Sequence, residues 1–395
     1  MPRYRWVVWG LSWVAYATYY TGRKGLSVTK KALHDQLGVS EAALGAIDTA
    51  FLAAYSLGQF LSGFLGDRIG SRRLVGAGML ASAALCAAFG ASGTALVFAV
   101  LFCLNGLAQS TGWPGTTRAM AEWTTRENRG SVMAFWATCY QVGGVAATAL
   151  AAFLLGRYGW RWAFIGPALC MGAVGVAVWV WLAPGPSAAG EAASERRHAQ
   201  LAVLKNPVLW CYGASYCFIK FIRYALLFWL PYYLAKRQGY GEAQAGYVST
   251  AFEVGGVLGV ITFGIASDRL RRYSRSLLSA TGLVGLMAAL LLYTRIGSTS
   301  VSANVLGLAL VGAALFGPDA LLSGAASQDA GGPHAAATAT GFVNGMGSLG
   351  SVLEGIVVPA VSKRWGWDAV FQLFVGMALL AALCLVPTLR PKPAS

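Results

Sequence analysis

Residues Gly63–Arg73 read GFLGDRIGSRR, a short charged stretch that follows directly on a long apolar segment. Its first glycine, its aspartate and its first arginine return in Gly264–Arg269, GIASDR, at an offset of 201 positions. Glycines let helices pack closely, and an aspartate at a helix end can pair with arginines nearby. The repeat predicts a chain made of two related halves.

Two further landmarks recur at a similar offset. Pro114 returns as Pro318, and Gly159–Trp160 returns as Gly366–Trp367. The longest polar break, rich in Pro, Gly, Ser and charge, lies between the two copies and reads as a flexible linker. We therefore expect an N-terminal six-helix bundle at 1–184, a cytoplasmic linker at 185–206 and a C-terminal six-helix bundle at 207–395.

The composition is that of a polytopic membrane protein. Hydrophobic residues make up 56% of the 395 residues and charged residues only 11%, against about 25% in a soluble domain. Because about 20 apolar residues span a bilayer, the predicted fold is an all-α membrane protein with twelve transmembrane helices in two pseudo-symmetric six-helix bundles. The twelve predicted transmembrane helices lie near 6–29, 44–66, 72–92, 95–120, 130–156, 161–184, 207–235, 243–267, 276–296, 300–325, 335–361 and 367–388.

The distribution of positive charge predicts the topology. Placing the N-terminus in the cytoplasm puts 17 of the 30 lysines and arginines on that side, nine on the other and four inside the spans. This bias predicts cytoplasmic termini at both ends. It also accounts for the net charge of +15 without a nucleic-acid partner.

Cationic side chains occur inside the first and seventh spans at matching places. Tyr16–Ser27 reads YATYYTGRKGLS and Tyr216–Leu227 reads YCFIKFIRYALL. A cation inside a membrane span costs at least about 2.5–3.5 kcal/mol, which makes it a functional candidate. The alternative for Arg23 is that its side chain extends to the outer membrane surface. The matching position of Arg223 instead favours one shared anionic ligand.

Helical spacing defines the members of this anion site. Tyr16, Tyr20 and Arg23 share one helix face, as do Lys220 and Arg223. A guanidinium binds two phosphate oxygens at once, so two arginines and a lysine suit a dianion, although a carboxylate would also fit. The remaining substrate-binding candidates, whose alternative role is helix packing, are Tyr140, Gln141 and Asn344.

Other charges within the spans predict gating or ion pairing. Lys24 points about 100° away from Arg23, and we expect it to pair with an acid such as Glu253. Asp48, Asp319 and Glu354 remain open as proton carriers or as partners of Lys220. The repeated loop supplies further candidates for gating or ion pairing, with topological anchoring as the alternative: Asp67, Arg68, Asp268 and Arg269.

Several motifs carry a resemblance to known families. GDRIGSRR resembles the signature loop of the major facilitator superfamily, which implies a major facilitator fold of two pseudo-symmetric six-helix bundles. Four runs resemble the organophosphate:phosphate antiporter family, which includes bacterial glycerol-3-phosphate and hexose-phosphate transporters and vertebrate endoplasmic-reticulum sugar-phosphate exchangers. They are AxYYxxRK at 17–24, NGLAQSTGWP at 105–114, RYxxLxWLPYYL at 223–234 and FEVGG at 252–256.

The resemblance implies an alternating-access antiporter that exchanges a phosphorylated metabolite for inorganic phosphate held by Arg23 and Arg223. Three positions depart from the glycerol-3-phosphate transporters. Tyr140 stands in place of a histidine, Gln59 in place of a lysine, and Phe228 in place of an acid. These departures put proton-linked histidine chemistry in doubt.

No motif indicates an enzyme, a metal site or a cofactor. The seven cysteines and three histidines lack metal-ligand spacing, and no Gly-Lys dipeptide is present for a phosphate-binding ATPase loop. We expect a monomer in the bacterial inner membrane, with the endoplasmic reticulum second. The alternative functions are a proton-coupled carrier of another organic anion and a sugar-phosphate sensor that does not transport.

Overall fold

The structure is a computed structural model that describes residues 4–125, 127–185, 193–240, 242–270, 274–332 and 334–389. Every regular element in these ranges is helical. A six-residue π-helical stretch, Leu321–Ala326, follows α13, and a short 3₁₀ turn, Val386–Thr388, follows α15. The α-helices are α1 (Tyr4–Tyr19), α2 (Thr21–Leu37), α3 (Glu41–Ile69), α4 (Ser71–Ala91), α5 (Ala95–Gln109), α6 (Gly112–Trp123), α7 (Arg129–Tyr158), α8 (Trp162–Trp181), α9 (Ala193–Lys205), α10 (Pro207–Gln238), α11 (Glu242–Arg269), α12 (Arg275–Ile296), α13 (Val301–Ala320), α14 (Ser327–Gly331) and α15 (Ala336–Leu385).

The first predicted span is longer than its apolar segment and contains a tightened turn. The amide of Tyr20 donates to the carbonyl of Ala17 at 3.2 Å, a bond between residues three apart. The helical path then continues as α2 to Leu37, where Gly38 ends it at φ 67°. Arg23 therefore lies one turn beyond a change in helical pitch.

Ten helices in the described ranges are long and apolar enough to cross a membrane. The last of them, Ala336–Thr388, contains Gly366, whose φ of 82° and ψ of 175° separate two helical arms. Leu57, Leu61 and Leu65, each four residues apart on α3, are exposed. Such apolar stripes on the outside of long helices suit lipid rather than water. The chain is a multi-pass membrane protein.

The sequence repeat is visible in local packing. A Cβ added at Gly106 of α5 would overlap the carbonyl oxygen of Phe51 on α3. A Cβ added at Gly312 of α13 would likewise overlap the carbonyl oxygen of Phe252 on α11. The two aromatic residues are 201 positions apart and the two glycines 206. Corresponding helix pairs therefore approach each other through corresponding glycines.

The residues group into two compact units that do not follow sequence order. The first unit contains Met1–Thr124, Trp136–Val203 and Gly331–Gly345. The second contains Thr125–Phe135, Leu204–Ala330 and Met346–Ser395. The start of α7 thus belongs to the second unit and the start of α15 to the first. The division at 184 and 207 stays a prediction.

Candidate functional site

Arg23 lies in the first unit, where side chains from α3, from α5 and from the junction of α1 and α2 contact it. Its Nε donates to Oε1 of Gln109 on α5. Its guanidinium carbon lies 4.9 Å from the ring centre of Tyr20 and 4.8 Å from that of Tyr55 on α3. Gln109 is itself held by Ser82 at 3.1 Å. These contacts place the guanidinium against two aromatic rings and a buried amide of the first unit.

The tyrosines predicted beside Arg23 have different surroundings. Tyr20 contacts the guanidinium directly. Tyr16 is 4% exposed, and its ring packs on Trp113 and Trp136 at centroid distances of 5.2 and 5.7 Å. The structure therefore brings Tyr20 to the cation and places Tyr16 in an aromatic cluster, where its ring also packs on Tyr20.

Lys220 and Arg223 lie on α10 in the second unit. Lys220 is 4% exposed, and its Nζ donates to Oγ of Ser348 at 2.9 Å. Nη1 of Arg223 donates to both carboxylate oxygens of Asp319, at 3.0 and 3.2 Å. The ring centre of Phe316 lies 4.9 Å from the guanidinium carbon. Both Phe316 and Asp319 belong to α13, so α13 supplies a face and a counter-ion to the arginine.

The FEVGG run explains how Phe316 reaches Arg223. A Cβ at Gly256 would overlap the Phe316 ring, and one at Gly255 would overlap the backbone of Ala309 on α13. Phe252 packs on Phe316 at a centroid distance of 5.2 Å. The two glycines therefore let α11 and α13 approach closely enough to seat the ring beneath the guanidinium.

Several predicted polar candidates are buried amides or hydroxyls. Tyr140 is buried, with its ring centre 6.4 Å from that of Trp113, and Asn344 is 3% exposed. Neither amide atom of Gln141 has a hydrogen-bond partner among the described residues. A buried amide without a partner costs free energy, which makes Gln141 a candidate for contact with a polar ligand.

Gln59 on α3 has the same property, and the sequence analysis did not select it as a site residue. The residue is fully buried, and neither of its amide atoms has a partner within the described part of the chain. It lies one helical turn beyond Tyr55, which contacts Arg23. A glutamine inside an apolar span, at a position where similar transporters carry lysine, was the available signal.

The remaining charges within the spans have distinct partners. Asp48 pairs with Lys30, and Oε2 of Glu354 accepts a hydrogen bond from Nε1 of Trp229 at 3.1 Å. Lys24 is partly buried in the first unit and Glu253 is partly buried in the second. Their pairing stays a prediction.

Asp67 caps the start of α15. Its carboxylate, 1% exposed, accepts from the amides of Ala337 at 3.1 Å and Thr338 at 2.7 Å, and from the Thr338 hydroxyl. Nη1 of Arg118 lies 3.2 Å from the same carboxylate. A carboxylate at a helix N-terminus satisfies free amides and complements the positive end of the helix dipole.

Asp268 caps the start of α7 in the same way. Its two oxygens accept from the amides of Gly130 at 2.9 Å and Ser131 at 2.6 Å. Arg275 lies 3.6 Å from Asp268 and also pairs with Asp329 at 3.0 Å. Each repeated aspartate therefore caps a helix that starts in the other half of the sequence.

The arginines that directly follow the two aspartates are not their partners. Nε of Arg68 donates to Oε1 of Gln200 on α9 at 3.3 Å, and Gln200 donates to the carbonyl of Phe64 at 2.8 Å. Arg269 is exposed. The ion pairs with the aspartates are instead made by Arg118 and Arg275.

Comparisons with known proteins agree with these features. The family model described as the Major Facilitator Superfamily matches residues 12–355 and again 242–395. An Arabidopsis thaliana protein named "Putative glycerol-3-phosphate transporter 2" is 30% identical over 97% of this chain and 86% of that protein. Sugar phosphate exchanger 3 of Gallus gallus is 31% identical over 87% of this chain and 78% of that protein. The Homo sapiens protein of that name is 30% identical over 87% and 79%.

Proposed function

Because the chain belongs to the major facilitator superfamily, we propose that it exchanges a phosphorylated metabolite for inorganic phosphate by alternating access. The metabolite is a sugar phosphate or a glycerol phosphate, as the names of its relatives indicate. The protein is a transporter and not an enzyme. We also propose that the protein has twelve transmembrane helices, in which α1 and α2 together form one span and Gly366 divides the last helix into two spans.

The observation that carries the proposal is the pair of arginines at positions 23 and 223. Each lies in the first predicted span of a sequence half, and each is packed against aromatic rings. The planar guanidinium suits the phosphoryl oxygens that a sugar phosphate, a glycerol phosphate and inorganic phosphate have in common. We propose that both arginines serve the same substrate, with Lys220 as an additional cation.

Buried polar groups are candidates for binding the organic part of the substrate. Gln59 and Gln141 have amides without partners within the described ranges, and a sugar or glycerol hydroxyl would satisfy them. Tyr140 and Asn344 are further candidates. Replacing Gln59 with leucine would weaken binding of the phosphate ester more than binding of inorganic phosphate, and equal losses for both would argue against this role.

The two capping aspartates supply the gate. Asp67 and the start of α15 are about 270 residues apart, and Asp268 and the start of α7 about 138. Each contact joins residues of the two sequence halves, and we infer that movement of one half against the other breaks both contacts. We propose that they stabilise one end state of the transport cycle and reform in every turnover.

Exchange in reconstituted vesicles tests the function. Vesicles loaded with phosphate should take up labelled phosphate, and vesicles without internal phosphate should not. Glycerol-3-phosphate, glucose-6-phosphate and phosphoenolpyruvate, added outside in turn, would identify the ester by competition. Uptake that ignores internal phosphate would refute obligatory exchange.

Glu354 favours one alternative, a proton-coupled carrier. Its carboxylate is buried on α15, accepts from Trp229, and has no salt-bridge partner among the described residues. Buried acids of this kind serve as proton carriers in transporters. Uptake driven by a pH gradient and indifferent to phosphate would support this alternative over exchange.

Location and assembly complete the proposal. We place the monomeric protein in the bacterial inner membrane with both termini in the cytoplasm, because positive charge is concentrated on that side. The endoplasmic reticulum is the second choice. Reporter fusions at the two termini, read for cytoplasmic activity, test the orientation.

A further inference from the structure

We propose that Asp319 is a resident counter-ion of the substrate site, which occupies Arg223 in the empty transporter and is displaced by the phosphoryl group of the substrate. This inference rests on the proposed function, because it requires Arg223 to bind phosphate.

The contact between Arg223 and Asp319 resembles the way in which a guanidinium binds an anionic ligand. One guanidinium nitrogen contacts both carboxylate oxygens, and the side chains of the pair are 12% and 2% exposed. Phe316, one turn before Asp319 on α13, covers one face of the guanidinium. The carboxylate therefore contacts the same donor group that a phosphoryl group would use.

The carboxylate offsets part of the positive charge on α10. Lys220 lies one turn before Arg223 on that helix. The formal charge of Lys220, Arg223 and Asp319 together is therefore +1, and Asp319 offsets one of the two cations available to a phosphoryl group.

The backbone around Asp319 is irregular. Pro318 precedes it and has no amide hydrogen, and the π-helical stretch Leu321–Ala326 follows. The Ser323 hydroxyl donates to the Asp319 carbonyl at 2.7 Å. Short π-helical stretches occur frequently at functional sites. A change in the path of α13 costs least where its regular hydrogen bonding is interrupted.

Competition by Asp319 gives the exchanger a way to release its substrate. A phosphoryl group that takes Arg223 leaves a buried carboxylate without its cation, which lowers the net gain from binding. When phosphate leaves, the carboxylate returns to the arginine. Moderate affinity and rapid release therefore follow from the same ion pair.

The test is phosphate binding by the purified full-length protein in detergent. We compare the wild type with Asp319→Asn and Asp319→Thr, which remove the charge, and Asp319→Glu, which keeps it. Asp48→Asn is the matched control, because it also removes one carboxylate within a span, and Asp48 pairs with Lys30 rather than with the arginine.

We expect the dissociation constant for inorganic phosphate to fall at least about fivefold in the uncharged variants. The phosphate-induced rise in melting temperature should increase in parallel, while Asp319→Glu and Asp48→Asn stay within about twofold of the wild type. Labelled phosphate exchange should slow in the uncharged variants because release becomes limiting.

Unchanged or weaker phosphate binding in both folded uncharged variants would overturn the inference and leave Asp319 as a residue that merely positions Arg223. The proposed function would survive that result, since wild-type exchange is measured separately. A wild type that neither binds nor exchanges phosphate would overturn both.

Discussion

Replacing Asp67 with asparagine tests the cap on α15 directly. The carboxylate accepts four hydrogen bonds, from the amides of Ala337 and Thr338, from the Thr338 hydroxyl and from Nη1 of Arg118. Asparagine keeps only one acceptor oxygen and turns a donor towards the helix end. Hydrogen bonds to a charged group contribute about 1.5–3 kcal/mol each, so losing two costs about 3 kcal/mol or more. Arg118 keeps its second partner, Glu122, at 2.7 Å.

A cost of about 3 kcal/mol raises local opening of the cap roughly 100-fold. Hydrogen exchange read by mass spectrometry should show faster exchange in the peptide that covers residues 336–345. The matched variant is Asp268→Asn, which should instead affect residues 129–135, at the start of α7. Unchanged exchange at the start of α15 in Asp67→Asn would refute the role of the cap.

The remaining predictions concern binding and packing. Lys220→Ala should weaken phosphate binding less than Arg23→Ala or Arg223→Ala in an equilibrium titration, because the lysine ammonium is a point charge and lacks the forked donors of a guanidinium. Equal or reversed losses of affinity would show that the proposed composition of the anion site is wrong. Gly312→Ala should lower the melting temperature, since its Cβ would overlap a backbone carbonyl and overpacking costs about 1–3 kcal/mol. Gly285→Ala is its control, because nothing lies within 4 Å of a Cβ added at Gly285. Equal changes in melting temperature for the two variants would contradict the close contact at Gly312.

Hydrophobicity predicted a polytopic helical membrane protein, and it predicted the extent of the first helix less well. The apolar segment that predicted 6–29 ends where Lys30 and Lys31 begin, yet α2 continues to Leu37. Leu33 is fully buried on that continuation. A hydropathy pattern detects helices that are apolar on most sides. It does not detect a helix that packs its apolar side chains on other helices and keeps its charged side chains accessible.

Helical spacing identified the cations of the candidate site, and it could not identify their partners. Asp319 is 96 residues from Arg223, and their contact depends on the rotation of α10 and α13 about their axes. The three acids within the spans that remained open proved to have three different partners, Arg223, Lys30 and Trp229. Sequence periodicity fixes which residues share a helix face and leaves the facing helix undetermined.

The repeated loop was recognised as a candidate gate, but its contacts were not foreseen. The sequence placed an arginine next to each aspartate, whereas the main partners of Asp67 and Asp268 are backbone amides of distant helices. Amides at a helix start have no side-chain signature, so only the three-dimensional structure reveals which helix start an aspartate reaches.

Gly63, the first glycine of the repeated stretch Gly63–Arg73, has a consequence for conformational trapping. A Cβ on Gly63 would come within 2.8 Å of the Ala337 carbonyl, and one on Gly341 within 2.6 Å of the Gln59 carbonyl. The contact of α3 with the first turns of α15 is thus made by backbone on both sides. A valine at Gly341 would act as a steric wedge in this contact, and the wedged protein would provide an antigen for selecting antibodies that recognise a single conformer.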